Sequence, residues 1–452
     1  MIVNNKESVE LIKDAIANGR DQFISDQFAE MHAADVAEFF EKLSTDQVLY
    51  VFKLLDDECS ADVLLEVEDE LRSKLLSSLT SKEIAAEVIE NMDSDDAADL
   101  IADLPEEKMG EVIAQIEDAK QAEHIVDLLN YDEHSAGGLM GKELVKVSIN
   151  WTIAKCVREM RKQAEEIENV YTVYVVNENN ELLGHLSLKK LLFSAASIRT
   201  TIADIFDPND LISVHPDQSS EEVAKVMEKY DLVVLPVVNE NNQLLGRITI
   251  DDVVDVIKEE AEKDYQMASG LSENVEERDG ITLMTRARLP WLLIGMLGGV
   301  LVSRVIGTYE SQIQFNPKLA FFIPLIAAMG GNVGVQSSAI VVQSIANKMK
   351  AERTGRRLLK ELIVALVNAS ICSVIIFTYT FLFNDDSSLA YTTGISLFAV
   401  IVFAGLFGTI VPLMLHRLKV DPALATGPFI TTANDIIGLF IYFLVARLMY
   451  GI

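Results

Sequence analysis

Apolar positions along this chain fall into three successive patterns. Over roughly residues 1–130 they recur every three or four positions, in short runs separated by Ser, Thr, Asp or Pro. That is the spacing of small amphipathic helices. Between about 139 and 262 they form short strand-like runs bounded by Asn-rich turns. From residue 289 five long apolar stretches follow, at 289–307, 319–346, 362–383, 391–415 and 424–449. Each comes near the ~20 residues that a helix needs to cross a bilayer. The expected fold class is multidomain: an all-α superhelical N-terminal domain (1–135), an α/β pair (136–200 and 201–262) and a five-helix transmembrane domain (289–452).

The middle pattern is an internal repeat. VNENNELLGHLSLKKLL from Val176 returns as VNENNQLLGRITIDDVV from Val238. Each copy reads as a strand, a turn, a second strand after Leu-Leu-Gly and the start of a helix. This order resembles tandem cystathionine-beta-synthase-type (CBS) domains. The resemblance implies adenine-nucleotide binding of the ATP type, with Thr249 and Asp252 of the second copy at the positions of the threonine and the ribose-binding aspartate. The first copy has Ser187-Leu188-Lys189-Lys190 and lacks the aspartate. A folding and dimerisation unit is the other reading of the pair. Upstream, AADVAEFFEKLSTDQV and SDDAADLIADLPEEKM form a weaker repeat, consistent with stacked helices.

Charge separates the chain into two solvents. Residues 1–280 hold 62 acidic against 25 basic residues, whereas 281–452 hold 7 against 13. So acidic a soluble part disfavours a nucleic-acid partner, whose phosphates need cationic groups, and favours cations. The opening residues, MIVNNKESVELIKDAI, lack a basic region followed by an apolar core, so no cleaved secretory signal is expected. Arg286 and Arg288 precede the first stretch, Lys348, Lys350, Arg353, Arg356, Arg357 and Lys360 lie between the second and third, and Arg417 and Lys419 between the fourth and fifth. The two other loops carry Glu310 with Lys318 and Asp385 with Asp386. The positive-inside rule then places the N-terminal domains in the cytoplasm and the C-terminus outside a plasma (inner) membrane.

Candidate chemistry in the last third centres on Asp435, which ends the polar run Thr431-Thr432-Ala433-Asn434-Asp435 and is the only carboxylate within the five stretches. An ionisable group at membrane depth is costly and usually marks an ion or substrate pathway. The second stretch carries Pro324 and then GGNVG at 330–334, where irregular backbone is expected to free carbonyls toward an ion. Gly295, Gly298, Gly299, Gly405 and Gly408 read instead as helix-packing positions. Such oxygen donors suit a hard divalent cation.

Between the repeat and the first stretch runs DDVVDVIKEEAEKDYQMASGL, within a connecting region at 252–288. On a helix Asp252, Asp255 and Glu259 share one side, and Val253, Ile257 and Ala261 another. Like charges presented there to a neighbour repel unless a cation reverses the term. The cluster Asp93, Asp95, Asp96 and Asp99 is the densest acid of the helical region.

Taken together, the acidic helical domain, the CBS pair, the acidic connecting helix, PLIAAMGGNVGVQSS and DPALATGPFITTANDIIGLFIYF resemble the MgtE family of magnesium channels over essentially the whole chain. The resemblance implies a homodimer in the lipid bilayer, with a pore between the second and fifth spans and the connecting helix as its plug. Its pore residues would be Asp435, Asn434, Gly331 and Asn332. Its regulatory magnesium ligands would be Asp421 near the cytosolic mouth, Asp252, Asp255, Glu260 and Asp264 on the plug, Asp217 in the second CBS copy, and Asp95 and Asp99 in the helical domain. The implied function is a magnesium-selective uptake channel closed by cytosolic magnesium. A proton-coupled or other divalent-cation (cobalt, manganese) secondary transporter is the alternative, and no enzymatic constellation is visible.

Overall fold

A computed structural model describes residues 6–164, 167, 169–193, 200–208, 211–272, 275, 279–346, 354–384, 386–425 and 427–451. Lys348, Lys350, Arg353 and Asp385 lie outside the described residues. The chain divides into two compact units, Met1–Ile257 and Lys258–Ile452.

The first unit begins with short helices whose starts are written in the sequence. Ser44 with Gln47, and Thr80 with Glu83, form reciprocal caps, and the Asp56 and Asp118 carboxylates accept from the backbone N–H groups of Cys59 and Lys120. The weak repeat becomes two helix pairs, Ala33–Phe40 with Thr45–Phe52 and Ser94–Ala102 with Glu106–Ile113. No one of these helices is long enough to be stable alone, so burial decides. Phe28, Phe39 and Phe40 are fully buried, with Phe28 edge-on to Phe39 at 5.5 Å between ring centres.

The CBS repeat follows. Strand β1 (Val145–Ser148) pairs in parallel with β2 (Val173–Val176), which pairs antiparallel with β3 (Leu182–Leu186). The second copy pairs β4 (Val234–Val238) antiparallel with β5 (Leu244–Thr249). The repeated Asn turns have a structural purpose. Asn180 and Asn242 both take the left-handed conformation, φ 62° and 58°, which Asn tolerates better than most residues. Each then donates its side-chain amide across to the other copy, Asn180 Nδ2 to the Leu244 carbonyl at 2.8 Å and Asn242 Nδ2 to the Leu182 carbonyl at 2.7 Å. Backbone bonds Leu182 N to Asn242 O and Leu244 N to Asn180 O, at 2.8 and 3.0 Å, complete the clasp.

The connecting helix spans Ile250–Ala268. Val253 and Val256 are its buried residues, whereas Ile257 is 46% exposed and Ala261 is also exposed. The apolar face was expected to run through Val253, Ile257 and Ala261, and of these only Val253 is buried. The helix instead docks through its first two turns, because its packing partner there is the CBS core.

In the second unit five helices are long and apolar enough to span a membrane: Ile281–Thr308, Ile323–Ala346, Thr354–Phe383, Ser387–Arg417 and Pro428–Tyr450, numbered spans 1 to 5. Spans 2, 4 and 5 share a core containing Ile326, Leu397, Ile401, Leu439 and Phe443, and the Tyr442 hydroxyl donates to the Leu319 carbonyl at 2.9 Å. Span 2 is an unbroken helix through GGNVG, so its glycines free no carbonyls, contrary to the irregular backbone expected from the sequence. They admit neighbours instead. A methyl group on Gly408 would collide with the Gly334 carbonyl, and one on Gly298 with Thr432. Gly405 also packs closely, 3.2 Å from its would-be Cβ to Ala365, while Gly295 and Gly299 meet nothing among the described residues, so packing explains three of the five glycines assigned to it.

Candidate cation sites

In the membrane unit, Gly427 takes φ 60° and Pro428 follows at the first turn of span 5, a start that places Thr431 and Asp435 on one face. That face meets span 2 at Gly331. A Cβ there would stand 3.5 Å from the Thr431 methyl and 3.9 Å from Asp435 Oδ1, so the absent side chain leaves room beside the carboxylate. Asp435 is partly buried and makes no hydrogen bond or ion pair with another described residue. Asn434, one position earlier, is 1% exposed, packs against Gly330 and Gly334, and neither its Oδ1 nor its Nδ2 has a hydrogen-bond partner among the described residues. Leaving such a group unpaired costs about 1–3 kcal/mol, so a buried asparagine in this state points to a polar occupant such as water. Asn332 lies elsewhere, on an exposed stripe of span 2 with Ala328, Gln336 and Ile340.

A second carboxylate within a spanning helix was not expected. Span 3 begins at Thr354, not near 362, and Glu361 falls inside it, accepting a hydrogen bond from Ser337 Oγ of span 2 at 2.6 Å. At 1.5 Å per residue this 30-residue helix is longer than the ~30 Å hydrocarbon core, so its first turns, Glu361 included, have room at the interface.

In the first unit, acids from three places converge. The helix Ser94–Ala102 brings Asp95, Asp96 and Asp99, the turn before β1 brings Glu143, and the start of the connecting helix brings Asp252. Carboxylate oxygens of Asp93, Asp95 and Glu143 lie within 4.8 Å of one another. Ser94 Oγ donates to Glu143 Oε2 at 2.9 Å and accepts from Lys142 N at 3.0 Å, pinning the two segments together. Gly141 is required here, because a Cβ would stand 2.8 Å from Asp95 Oδ2.

Crowding in a desolvated place raises these acids. Burial pushes the Asp95 carboxyl well above its ordinary range, and the charges of Asp252, Asp96, Glu143 and Asp93 act the same way. Asp96 is pushed up to about 7, by burial first and then by Asp252 and Asp93. Asp99 also reaches about 7, by burial first and then Glu133 and Asp103, but its side chain is open to solvent on one side, where screening weakens the effect. Asp252 is raised by burial and held back by Thr249, whose hydroxyl donates to Asp252 Oδ2 at 2.6 Å.

Carboxylates crowded in this way are an unstable arrangement, and Asp95 Oδ1 is buried with no hydrogen-bond partner among the described residues. An oxygen-only donor set of this kind fits a hard divalent cation, with Asp93, Asp95 and Glu143 holding it. The same geometry qualifies the nucleotide assignment. Asp252 already accepts from Thr249 and sits under the field of Asp95 and Asp96, so serving as a ribose acceptor would compete with both.

The remaining candidates are dispersed. Asp217 and Asp255 are exposed, Asp217 within electrostatic reach of Tyr131. Glu260 pairs with Lys263 at 2.9 Å on its own helix, and Asp264 is partly buried further along it. Asp421 caps the short turn after it, accepting from Ala423 N at 2.8 Å. Glu143 was missed by sequence reasoning, since nothing in GKELVKV marks it before the fold brings it to Asp95.

Comparison with known proteins gives the family. The MgtE divalent cation transporter model matches residues 323–445, the MgtE intracellular N domain 31–134, and CBS domains 136–197 and 202–259. The magnesium transporter MgtE of Bacillus subtilis is 34% identical over 320 residues, 71% of this chain and 70% of that protein. The chain belongs to the MgtE family. The Thermus thermophilus magnesium transporter MgtE is 37% identical over 325 residues, 71% of each chain. Two solved structures resemble a little over half of this MgtE-family chain. One is the soluble part of a magnesium transporter, 28% identical, TM-score 0.50, covering 57% of this chain and 99% of that one. The other is the cytosolic domain of the Mg2+ channel MgtE in complex with ATP, 31% identical, TM-score 0.51, covering 55% and 99%. The family is one of transporters, and this chain has its N domain and CBS domains together with five apolar helices, four of them within or overlapping the transporter match.

Proposed function

We propose that this chain is a magnesium-selective uptake channel of the plasma membrane, closed by magnesium binding to its acidic cytosolic part. The observation that carries the reading is Asp435, a partly buried carboxylate without a partner among the described residues, beside the gap left by Gly331 and next to the Asn434 amide, which is likewise unpaired among them. Magnesium sheds water reluctantly and is usually held through one or two carboxylates with waters retained. One aspartate flanked by uncharged oxygens suits such a hydrated ion and holds it weakly enough to release it.

A homodimer completes this pathway. The exposed stripe of span 2 carries Asn332 and Gln336, and amides facing lipid tails are unfavourable, whereas the same face turned to a second copy lines a polar path. The relatives' names supply the ion, and the orientation follows the basic loops.

Closure is a population shift. At high cytosolic magnesium the ion neutralises Asp93, Asp95 and Glu143 and favours the docked cytosolic arrangement; at low magnesium repulsion favours separation. Moving an equilibrium from 1:99 to 99:1 needs about 5.5 kcal/mol of differential binding, so Asp217, Asp255, Glu260, Asp264 and Asp421 serve as further weak sites. ATP bound to the CBS pair, as in the solved cytosolic domain of a relative, would tune this balance through Thr249 and Asp252.

The deciding experiment is single-channel recording of the reconstituted protein with magnesium varied on the cytosolic face. Discrete openings that vanish as magnesium rises support the reading. Silent membranes with uptake driven by an imposed pH gradient would replace it with a proton-coupled transporter.

A further inference from the structure

The acid cluster contains a cation of its own. Arg247 on β5 is 7% exposed, and its guanidinium Nη2 lies 3.7 Å from Asp93 Oδ2, one of the three carboxylates that converge as metal ligands. Its position is over-determined. Nη1 donates to the Asn169 carbonyl at 3.0 Å, the guanidinium lies over the Tyr171 ring at 5.4 Å, and its backbone N–H and carbonyl pair with Gly141 at 2.9 and 2.8 Å. Gly141 is the residue that packs on Asp95, so the strand and the cluster are built as one piece. Arg247 also draws Asp252 toward its charged form, opposing the neighbouring acids. Lys142, the other buried cation nearby, is committed elsewhere, to Asp127 at 2.7 Å and the Leu245 carbonyl at 3.1 Å.

We propose that Arg247 is a tethered stand-in for the divalent ion: it keeps the Ser94–Ala102 helix docked on the CBS pair when magnesium is scarce, so that the ion needs to supply only the remaining neutralisation. This rests on the reading of the cluster as a cation sensor. A guanidinium is permanently charged and pre-organised, and from its buried position Arg247 attracts Asp252 and also Asp93, whose side chain stays 44% exposed to screening solvent. Unlike a bound ion it cannot leave, so it sets a fixed fraction of the docking that magnesium does not control. Removing it converts docking from assisted to wholly ion-dependent.

Hydrogen exchange of the full-length protein in lipid nanodiscs tests this, following the amides of Ser94–Ala102 in EDTA and in excess magnesium chloride. Arg247→Met is expected to speed their exchange in EDTA by about tenfold, with wild-type protection restored by magnesium. Arg247→Lys keeps the charge and is expected to stay close to wild type. The amides of β4 are the control for a merely structural role and should not change. Equal EDTA rates in wild type and Arg247→Met would overturn the proposal. So would loosening that spreads to β4 and resists magnesium. The sensor reading fails separately: wild-type exchange would then be indifferent to magnesium, and Asp95→Asn would behave as wild type in both conditions.

Discussion

Two carboxylate sites in this chain solve opposite problems. Around Asp95 the fold gathers acids until burial and mutual repulsion raise their carboxyls above the ordinary range. Around Asp435 it places one carboxylate beside the gap at Gly331, with Thr431 on the same face and the Asn434 amide next to it. A crowd of acids stores repulsion that an ion can release, which is the requirement of a sensor whose two states must differ strongly in affinity. A single acid attracts an ion without trapping it, which is the requirement of a path. Substitutions that exchange these properties should therefore separate conduction from closure.

The largest effect is expected at Asp435. Asp435→Asn removes the charge and keeps the shape, and magnesium flux into proteoliposomes should fall by on the order of a hundredfold, about 2.7 kcal/mol in barrier. Magnesium-dependent protection of the cytosolic helices should persist. A variant that conducts normally would remove Asp435 from the path. Next comes the packing that sets the path's width. A methyl group at Gly334 would collide with the Asn434 amide, so Gly334→Ala should cost about 1–3 kcal/mol and lower the thermal midpoint in detergent, whereas Gly299→Ala, in open space, should not. Equal midpoints for the two would show that span 2 and span 5 are not held by this contact.

A smaller and opposite effect is expected in the sensor. Asp95→Asn resembles the protonated form that burial already favours, so docking without metal should survive, while the loss of a ligand weakens magnesium binding by about tenfold. Single-channel conductance should be unchanged and the closing concentration raised. A change in conductance would mean that the two sites are not separable.

The contrast also explains what could be read from the sequence. Asp435 and Asn434 were legible because a carboxylate and an amide inside a long apolar run are costly to keep unless they face something polar. The CBS repeat was legible because its turns recur with the same spacing. GGNVG was misread. Glycine permits irregular backbone but also close helix contact, and only the neighbours Asn434 and Gly408 decide between them. Val256 replaced Ile257 as a contact of the connecting helix because the docked face is chosen by the CBS core, a one-residue rotation that amphipathic spacing leaves open. Glu143 and Arg247 were invisible for a different reason. Each lies in an ordinary strand-edge segment, and its role arises when Ser94–Ala102 docks there across 49 and more residues of chain.

The mildest test uses protons to adjust the sensor alone. Asp96 and Asp99 are raised to about 7 in the docked fold, from an ordinary carboxylate value near 4. The docked state therefore binds more protons than the separated one. Its proton-linked stability is complete below about pH 4, declines as pH rises, and is gone above about pH 7. Protons and magnesium both favour the docked state, so as the proton contribution is lost from about pH 6 to about pH 8 on the cytosolic face the magnesium concentration that closes the channel should rise by about threefold. Most of this should come from Asp96, which faces Asp93, Asp251 and Asp252 with Arg247 beside them, because the outer side of Asp99 is screened by solvent. Asp96→Asn should flatten the profile. A closing concentration that falls with pH would contradict the linkage and remove the buried acids from the sensor.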